Sequence, residues 1–349
     1  MKTDKIKING LNFKNRVVVS PMCQYSSRNG CPSDWHYYHL RNLLETGVGS
    51  LVVESTSVSS VGRITKKDLC LYNNTHLREH KKLVKYLKKI RNVPILLQIS
   101  HAGRKGSAEI PFVKKNSPLK KKDGWITYAP SKIKRDKNWP LPSEMNSKQI
   151  NNLINQFKNT SKLAFKAGYD GVEVHMAHGY LLHQFCSPIS NKRIDKYGNN
   201  PQNYELHKNI IKSIKNILPK KKIIGARVTG SDNLPKGIKP KDCIKLLNIL
   251  KKEGLNYACI SSGGIIPKTK MKFYPGFRIK MAKYIKENSN LLIRTSGLIN
   301  DYVILKKATK DLDFVAVGRK FINDKFFLLK NKKFKKLGNI PEQYYYCFN

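Results

Sequence analysis

The most informative stretch of this sequence is Tyr169-Asp-Gly-Val-Glu-Val-His-Met-Ala-His-Gly-Tyr-Leu-Leu-His183. Its short apolar run begins at Gly171 and ends in a polar cluster, which predicts a buried strand that delivers side chains to its carboxyl end. His175 and His178 can then face the same space, and Tyr180 follows within one turn. Two imidazoles and a phenol that converge at a strand tip can bind and protonate an oxygen or a carbon. We therefore interpret this stretch as a strand that carries a chemical site.

Two other interpretations of these histidines stay open. A buried histidine is often a hydrogen-bonded core residue, so clustering alone makes it only a candidate for function. Two histidines at i and i+3, as in His175 and His178, also suit a zinc ion. Because no nearby cysteine or suitably spaced carboxylate completes a tetrahedral set, we expect no metal here.

Seven further strand candidates alternate with amphipathic helices from one end of the chain to the other. The predicted strands are Arg16–Ser20, Ser50–Glu54, Pro94–Ile99, Gly171–His175, Ile223–Val228, Tyr257–Ser261, Leu291–Thr295 and Asp313–Val317. The predicted helices are Tyr37–Glu45, His76–Arg91, Ser147–Ala167, Gln202–Leu218, Pro240–Glu253, Phe277–Lys286, Asp301–Ala308 and Phe321–Lys330. Eight β/α units predict an α/β fold, a (β/α)8 TIM barrel that forms one domain over residues 1–349. A doubly wound sheet is the alternative, but no glycine-rich dinucleotide fingerprint follows the first strand.

Residues that typically begin or end helices support several of these boundaries, and one connection between a strand and a helix is unusually long. Asn200-Pro201 is a typical helix start, and Gly168 and Gly254 stand where helices should end. Residues 103–146, after the third strand, are too many for a plain βα loop. Their Pro, Lys, Gly and aromatic content predicts an inserted loop or subdomain that crosses the barrel top and shapes substrate access.

Polar residues and glycines follow the predicted strand ends. They are Ser20-Pro-Met-Cys-Gln-Tyr25, Glu54-Ser55, Gln98, His101-Ala-Gly-Arg-Lys105, Arg227, Ser261-Ser-Gly-Gly264, Thr295-Ser-Gly297 and Gly318-Arg319. Barrel active sites lie at the carboxyl ends of the strands, and the loops after strands seven and eight commonly bind a phosphate. Gly297 and Gly318 would let a ligand approach the backbone, and Arg319 adds a fork of donors suited to phosphate oxygens.

The chain is strongly basic. Its 349 residues include 67 Lys and Arg against 23 Asp and Glu, which gives a formal net charge of +44. A polyanion-binding protein is therefore an alternative of a different functional class. The lysines are nevertheless dispersed over helix faces, as in residues 80–89, and no nucleic-acid-binding motif accompanies them. We expect no specific nucleic-acid partner.

Cysteine usage and hydropathy indicate a cytoplasmic protein. The seven cysteines are scattered without paired metal-type spacings, which is typical of reduced thiols. No apolar stretch approaches the length of a membrane span, and Met1-Lys-Thr-Asp-Lys-Ile6 lacks the core of a signal peptide.

Several of these motifs, in this order, resemble the Old Yellow Enzyme family of flavin mononucleotide (FMN) oxidoreductases. The most specific are Ser20-Pro-Met-Cys-x-Tyr25, Gln98-x-x-His-Ala-Gly-Arg-Lys105, the stretch 175–198, and Val317-Gly-Arg319. The resemblance covers nearly the whole chain and is closest to the bacterial class that includes xenobiotic reductases, which has a cysteine on the first βα loop. It implies FMN as cofactor and NADPH or NADH as reductant.

The resemblance also implies a set of flavin contacts. Ser20, Pro21, Met22 and Cys23 would lie along the flavin, with Cys23 near its N5 edge tuning the redox potential. Further contacts would come from Ser55 and Gln98 to the isoalloxazine, from Arg227 beside its N1–C2 carbonyl region, and from Gly297, Gly318 and Arg319 to the phosphate. As alternatives, Cys23 would be a small buried hydrophobic residue and Arg227 a structural ion-pair partner.

The reaction that the resemblance implies is reduction of the activated C=C bond of an α,β-unsaturated carbonyl compound. His175 and His178 would bind the carbonyl oxygen, hydride would pass from flavin N5 to the β-carbon, and Tyr180 would protonate the α-carbon. Tyr25 would touch the carbonyl or shape the pocket. Denitration or oxidative demethylation of a xenobiotic on the same barrel is the alternative.

Two segments depart from the family pattern. Residues 199–204 read Asn-Asn-Pro-Gln-Asn-Tyr where the family has Gly-Ser-x-Glu-Asn-Arg, which puts a supporting ion-pair network in doubt. Some homo-oligomeric relatives insert a C-terminal arginine into the neighbouring subunit's site. The tail here reads Gln343-Tyr-Tyr-Tyr-Cys-Phe348, so an aromatic residue would replace that arginine. We still expect a homo-oligomer.

Overall fold

Eight parallel strands close into a barrel in the computed structural model, which describes residues 4–198, 204–267, 271–331 and 342–347. The barrel strands are β3 (Val17–Val19), β4 (Ser50–Ser57), β6 (Ile95–Ser100), β9 (Gly171–Met176), β10 (Ile223–Ser231), β11 (Tyr257–Ser262), β12 (Leu292–Thr295) and β13 (Phe314–Val317). Each pairs in parallel with the next, and β13 closes the ring on β3. The predicted (β/α)8 barrel is confirmed, and each of the eight predicted strands overlaps one of these.

Helices cover the outside of the barrel. They are α1 (Asp34–Leu44), α2 (Asn74–Ile90), α3 (Ser147–Ala167), α4 (Leu181–Cys186), α5 (Glu205–Lys215), α6 (Pro240–Lys252), α7 (Ile279–Glu287), α8 (Tyr302–Asp311) and α9 (Arg319–Asn323). The barrel strands are buried almost throughout, and the largest apolar cluster lies between them and the helices. Parallel strands covered on both faces therefore read as continuous apolar runs, which is why the sequence located them well.

Helix ends follow the capping residues. The α3 helix has the predicted bounds because Asn146 caps its start, with Gln149 completing a capping box, and Gly168 ends it at a φ of +101°. Gly254 follows α6 at a φ of +102°. The Asn200-Pro201 helix start lies outside the described residues.

The last predicted helix, Phe321–Lys330, is wrong in extent. The α9 helix ends at Asn323, and Asp324 leaves helical backbone angles. A hydrogen-bonded turn follows, in which Lys330 Nζ donates to both carboxylate oxygens of Asp324 at 3.1 Å. Three successive buried apolar residues, 327–329, are accommodated by this turn, whereas a helix would bring only part of such a run to one face.

A hairpin that the sequence reasoning missed covers the amino-terminal end of the barrel. Its strands β1 (Ile6–Ile8) and β2 (Leu11–Phe13) pair in antiparallel fashion around Asn9 and Gly10, both at positive φ. An Asn-Gly pair favours this turn, so the signal was present. Ile8 and Phe13 pack against inward-facing residues of the strands. The barrel is thus plugged at this end.

The segment 103–146 contains little regular structure. It holds one 3-10 turn, Gly103–Lys105, and one short pair of strands, β7 (Tyr128–Ala129) and β8 (Ser143–Glu144). Outside this segment, the short strand β5 (Leu69–Cys70) pairs in parallel with the end of β4. Trp139 anchors the segment, since it is only 3% exposed and packs with Ile64 and Ala108. Among the described residues, no helix has the length and apolar character needed to cross a membrane.

Candidate active site

A cavity of about 670 Å³ lies at the carboxyl end of the barrel; we call it the main cavity. The predicted site residues on its wall are Ser20, Pro21, Met22, Cys23, Arg227, Gly297, Gly318 and Arg319. Arg227 lies on β10 itself, and the others come from the segments that follow β3, β12 and β13. They meet because parallel strands present their carboxyl ends on one face. The volume is in the range of small-molecule and cofactor sites.

The main cavity is positively charged. Arg227, Arg278, Arg319 and Lys320 line it, and no Asp or Glu stands among its described lining residues. Arg227 is only 8% exposed; its Nη2 donates to Ser296 Oγ at 3.3 Å, whereas its buried Nε has no hydrogen-bond partner. A buried cation with an unused donor costs free energy unless an anionic or polar ligand completes it. The cavity therefore suits a ligand that carries negative charge.

Arg278 is a lining residue that the sequence reasoning missed, because no motif marks it at the start of the predicted helix Phe277–Lys286; it is the N-cap residue of α7. Its Nε donates to Ser262 Oγ at 2.8 Å and its Nη1 to the Ser296 carbonyl at 3.2 Å. Burial, and secondarily the nearby Arg227, lowers the pKa of Arg278 to about 10, so it remains charged at neutral pH.

Both predicted glycines of the cavity wall leave little room for a side chain. A Cβ at Gly318 would lie 3.1 Å from Met22 Sδ, and one at Gly297 would lie 3.1 Å from Phe277 Cε1. Gly297 also has a φ of +155°, which L residues rarely adopt. Backbone and cations thus line this part of the wall without side chains in between, a construction that fits a phosphate group.

Cys23 lines the main cavity and packs with Tyr25 and Tyr180, which are not on the described wall of that cavity. All three pack against one small apolar cluster that includes Ala102 and Trp139. Burial, followed by the carboxylates of Glu54 and Asp68, raises the pKa of the Cys23 thiol well above its usual range. Cys23 is therefore a neutral, polarizable thiol on the cavity wall.

Glu54 positions the loop that carries Cys23, a role that the sequence reasoning did not assign. Its Oε2 accepts a hydrogen bond from the Gln24 backbone at 2.9 Å, and its Oε1 lies 3.3 Å from His36 Nε2 on α1. The β4–β6 register shifts between Val53 and Thr56, so Glu54 and Ser55 form a bulge there. Ser55 is buried next to Cys23, to which its backbone hydrogen-bonds.

The three polar rings of the strand β9 end face one another. His175 lies edge-on to His178, with ring centroids 5.1 Å apart, and edge-on to Tyr180 at 5.0 Å. The Ala177 backbone N–H donates to His175 Nδ1 at 3.2 Å, which places the proton of a neutral imidazole on Nε2. His178 Nε2 lies 2.6 Å from Ser261 Oγ. Three side chains that can donate protons or hydrogen bonds therefore surround one space.

Both histidines are neutral. Burial, with the positive charge of Arg227 as the next contribution, lowers the pKa of His175 and of His178 well below the usual value. Each ring consequently retains one N–H donor and one acceptor nitrogen at neutral pH. No group of three His, Cys, Asp or Glu in the described part of the chain is arranged to hold a metal ion.

The fourth ring of the motif, His183, belongs to the support of the site. Its Nδ1 accepts from the Gly179 backbone at 2.7 Å, and its Nε2 lies 2.9 Å from Asp232 Oδ1, in a fully buried pair. A Cβ at Gly179 would be 2.0 Å from the Gly264 carbonyl oxygen. The loop between His178 and Tyr180 is thus held tightly against the loop after β11.

Lys105 lies against the Tyr180 ring and the His178 backbone. Its Nζ is 4.8 Å from the Tyr180 ring centroid and donates to the His178 carbonyl at 2.7 Å. Burial, with smaller contributions from the neighbouring Arg135 and Arg104, lowers the pKa of Lys105 to about 7. Burial raises the pKa of the Tyr180 phenol, which therefore keeps its proton.

Gln98 and Ser55 are not on the described wall of the main cavity. Gln98 Nε2 donates to Glu173 Oε1 at 2.9 Å, and Glu173 also accepts from the Tyr257 hydroxyl at 2.7 Å and from Arg294. This polar cluster fills the barrel interior. The sequence reasoning treated Glu173 as an ordinary strand residue, and only its inward direction on β9 could have indicated otherwise.

The two segments that depart from the family pattern differ in what can be described. Residues 199–203 and Phe348 lie outside the described residues. Tyr344 packs edge-on against Phe326 of its own chain, with ring centroids 5.7 Å apart. All seven cysteines, each within the described residues, have free thiols, as the sequence predicted.

Comparison with known proteins agrees with this geometry. The model of the NADH:flavin oxidoreductase / NADH oxidase family matches residues 4–337. An NADPH dehydrogenase of Clostridium acetobutylicum is 34% identical over 350 residues, which cover 98% of this chain and 98% of that protein.

Solved structures show the same fold. An Old Yellow Enzyme homologue from Zymomonas mobilis superposes with a TM-score of 0.77 at 18% identity, over 96% of this chain and 92% of its own. A 2-naphthoyl-CoA reductase complex gives a TM-score of 0.82 at 22% identity over 93% of this chain, which spans about half, 51%, of that longer chain. The chain therefore belongs to the NADH:flavin oxidoreductase / NADH oxidase family, and it is an FMN-dependent NAD(P)H oxidoreductase of the Old Yellow Enzyme type that its motifs predicted.

Proposed function

We propose that this enzyme reduces the activated C=C bond of α,β-unsaturated carbonyl compounds, with NADPH or NADH as the reductant. The observation that carries the proposal is the group of two neutral imidazoles and one neutral phenol around a single space beside Cys23. Such a group can bind a carbonyl oxygen and supply a proton without carrying charge itself.

The main cavity would hold FMN. Arg319, Gly318 and Gly297 would bind its phosphate, since they combine a cation with open backbone. The Ser20–Cys23 loop would lie along the isoalloxazine, and the unused Nε of Arg227 would meet its polar edge. Ser55 and Gln98, which are not on the described cavity wall, would supply the remaining contacts to the isoalloxazine. Bound FMN supplies the hydride carrier between the nicotinamide and the substrate.

His175 and His178 would bind and polarise the substrate carbonyl oxygen. Their lowered pKa values keep them neutral, so each donates through one N–H and neither forms a competing ion pair. The Ala177 backbone fixes the donor of His175 at Nε2, and Ser261 can fix the orientation of His178. Hydrogen bonds of this kind withdraw electron density from the conjugated double bond, which makes its β-carbon a better hydride acceptor.

Tyr180 would deliver the proton to the α-carbon. Its phenol keeps its proton because burial raises its pKa, and its ring lies edge-on to His175, next to the carbonyl site. A positioned general acid of this kind contributes about 10²–10⁴ to the rate. Tyr25, which packs on the same apolar cluster, would shape the pocket on the opposite side.

Access would be controlled by the segment 103–146. A second cavity of about 610 Å³ joins Cys23 and Tyr25 to Trp35 and to Phe112 of that segment. Trp35 and Phe112 are exposed at its mouth, so it offers an aromatic entrance for an apolar substrate.

The test is a comparison of electron acceptors on purified enzyme. The protein should be yellow, release FMN on denaturation, and bleach anaerobically with NADPH or NADH. Cyclohexenone should then reoxidise it faster than nitro compounds or N-methyl amines do. Rapid bleaching with negligible turnover of every enone tested, alongside turnover of nitro compounds or N-methyl amines, would reject ene-reduction in favour of the alternative chemistry.

A further inference from the structure

We propose that the natural substrate of this enzyme carries a carboxylate or similar anionic group, which Arg135 binds beside the active site. This inference rests on the ene-reductase function proposed above and specifies its substrate class. Arg135 belongs to the segment 103–146, and no motif pointed to it in the sequence.

Arg135 is held in place without using up its charge. Its guanidinium carbon lies 4.3 Å above the centroid of the Trp139 ring, and its Nη2 donates to Asn116 Oδ1 at 3.1 Å. Stacking on an aromatic face orients the planar guanidinium, and a single neutral acceptor leaves most of its donors unused. A pre-oriented guanidinium suits the two oxygens of a carboxylate.

Trp139 connects Arg135 to the reacting groups. The buried face of its ring belongs to the apolar cluster on which Cys23, Tyr25 and Tyr180 pack. The Arg135 guanidinium is therefore one aromatic ring away from the proposed proton donor. In agreement with this, Arg135 is among the charges that act on the pKa of Tyr180.

The surroundings of Arg135 carry an excess of positive charge. Arg104 donates to the carbonyls of Ile133 and Ile265, and Lys105 donates to the His178 carbonyl. Neither these two side chains nor Arg135 forms an ion pair with any acid among the described residues. Neutral carbonyl acceptors do not cancel the charges, so an incoming anion meets the two guanidinium groups of Arg104 and Arg135, together with Lys105 where its ammonium is protonated.

The nearest acids are occupied or turned away. Asp136, next to Arg135, is exposed, and its Oδ1 accepts from the Lys137 backbone. Asp68 accepts from the backbones of Ile64 and Thr65. By contrast, Arg193, in the loop after α4, pairs with Asp195 and with Glu144 of the segment. Arg135 instead donates to a neutral acceptor, Asn116, and Asp136 acts on it through its charge without forming an ion pair.

An anionic group could come from the substrate or from a phosphate of the reductant. We assign it to the substrate because Arg135 stacks on Trp139, which packs in the cluster with Tyr180, whereas the main cavity has its own cations, Arg227, Arg278 and Arg319. The two sources are separated by experiment.

The experiment measures equilibrium binding to the oxidised holoenzyme without reductant, by calorimetry. The probes are cyclohex-2-enone with a 4-carboxymethyl group and the same enone with a 4-carbamoylmethyl group, which differ in charge but hardly in shape. In the wild type the acid should bind about 10- to 100-fold more tightly than the amide, the range of a charge-assisted hydrogen bond. Arg135→Gln should bring this ratio close to one and leave binding of the amide unchanged. Lys134→Gln, which removes an exposed charge one residue away, should keep the wild-type ratio.

Two results would overturn the proposal: an acid-to-amide ratio near one in the wild type, and a high ratio that survives in Arg135→Gln. If the ratio survives while Arg135→Gln loses affinity for NADPH relative to NADH, the cation is assigned to the reductant. Turnover of neutral cyclohexenone, measured in parallel, tests the proposed function separately, because binding ratios do not depend on it.

Discussion

Replacing Glu173 by Gln should destabilise the protein severely although no atom is lost from the active-site wall. Glu173 is fully buried in the barrel interior, where it accepts from Gln98, Tyr257 and Arg294. Burial alone would lower the pKa of Arg294, but the Glu173 carboxylate outweighs this and raises it. In Glu173→Gln the guanidinium would therefore remain charged and lose its only described acidic partner.

The expected magnitude follows from that uncompensated charge. Removing one partner of a buried ion pair costs about 3–5 kcal/mol of unfolding free energy. The Gln98 and Tyr257 donors compete for the single remaining oxygen of the new amide, which acts in the same direction. The double variant Glu173→Gln with Arg294→Met should recover part of the loss, with a coupling of at least about 1 kcal/mol.

Guanidinium denaturation with FMN in equal excess in every sample measures these differences, since bound ligand itself stabilises the folded state. Glu287→Gln is the matched control. This exposed glutamate lies 3.8 Å from Lys283, so its loss should cost at most about 0.5 kcal/mol. A Glu173→Gln protein within about 1 kcal/mol of the wild type, or a double variant whose loss equals the sum of the single losses, would refute the reasoning.

Four further outcomes are expected from variants around the site. Arg319→Ala should weaken FMN retention about tenfold or more, and more than Arg227→Ala does, as measured by FMN fluorescence on release; equal retention in the wild type and Arg319→Ala would contradict the phosphate assignment. Cys23→Ala should keep FMN but shift its reduction potential and both half-reaction rates, and an unchanged potential would make Cys23 a packing residue. Tyr180→Phe should oxidise NADPH normally while slowing reoxidation by cyclohexenone by up to about 10²–10⁴, and a wild-type rate would remove Tyr180 as the donor. Burial lowers the pKa of Lys105 to about 7, against about 10.4 for an unfolded lysine. Between those pH values the unfolded chain therefore holds one more proton than the folded chain, and stability rises with pH. Lys105→Met should lose this slope of stability against pH in denaturation curves, and an unaltered slope would count against the lowered pKa.

The sequence predicted the barrel because each strand is a short apolar run, and parallel strands that are buried on both faces consist mostly of apolar residues. It also brought Cys23, Arg227 and Arg319 to one face, since strand ends of a barrel share that face whatever the details of packing. Strand and helix order were therefore available from periodicity and from glycine positions such as Gly168.

What the sequence could not show depends on side-chain direction and on contacts between distant loops. Glu173 and Gln98 are 75 residues apart, and only the barrel register brings them together. Arg278 caps the start of α7 and Arg135 stands in an irregular loop, and at neither position does a sequence period indicate which way the side chain points. The helix expected at Phe321–Lys330 ends early for a related reason: the contacts of a turn bury three successive apolar residues, 327–329, and helical periodicity could not show this.

The contact between Gly179 and Gly264 has a consequence for how such an enzyme diversifies over evolutionary time. No side chain fits at Gly179 unless the loop after β11 moves with it, so a single mutation there cannot be selected on its own. The chemistry proposed for His178 and Tyr180 is consequently tied to a neighbouring loop. Arg135, whose described ring contact and hydrogen bond are with Trp139 and Asn116 of its own segment, faces no such restriction. Descendants of this chain would therefore be expected to exchange substrates readily while retaining one reaction.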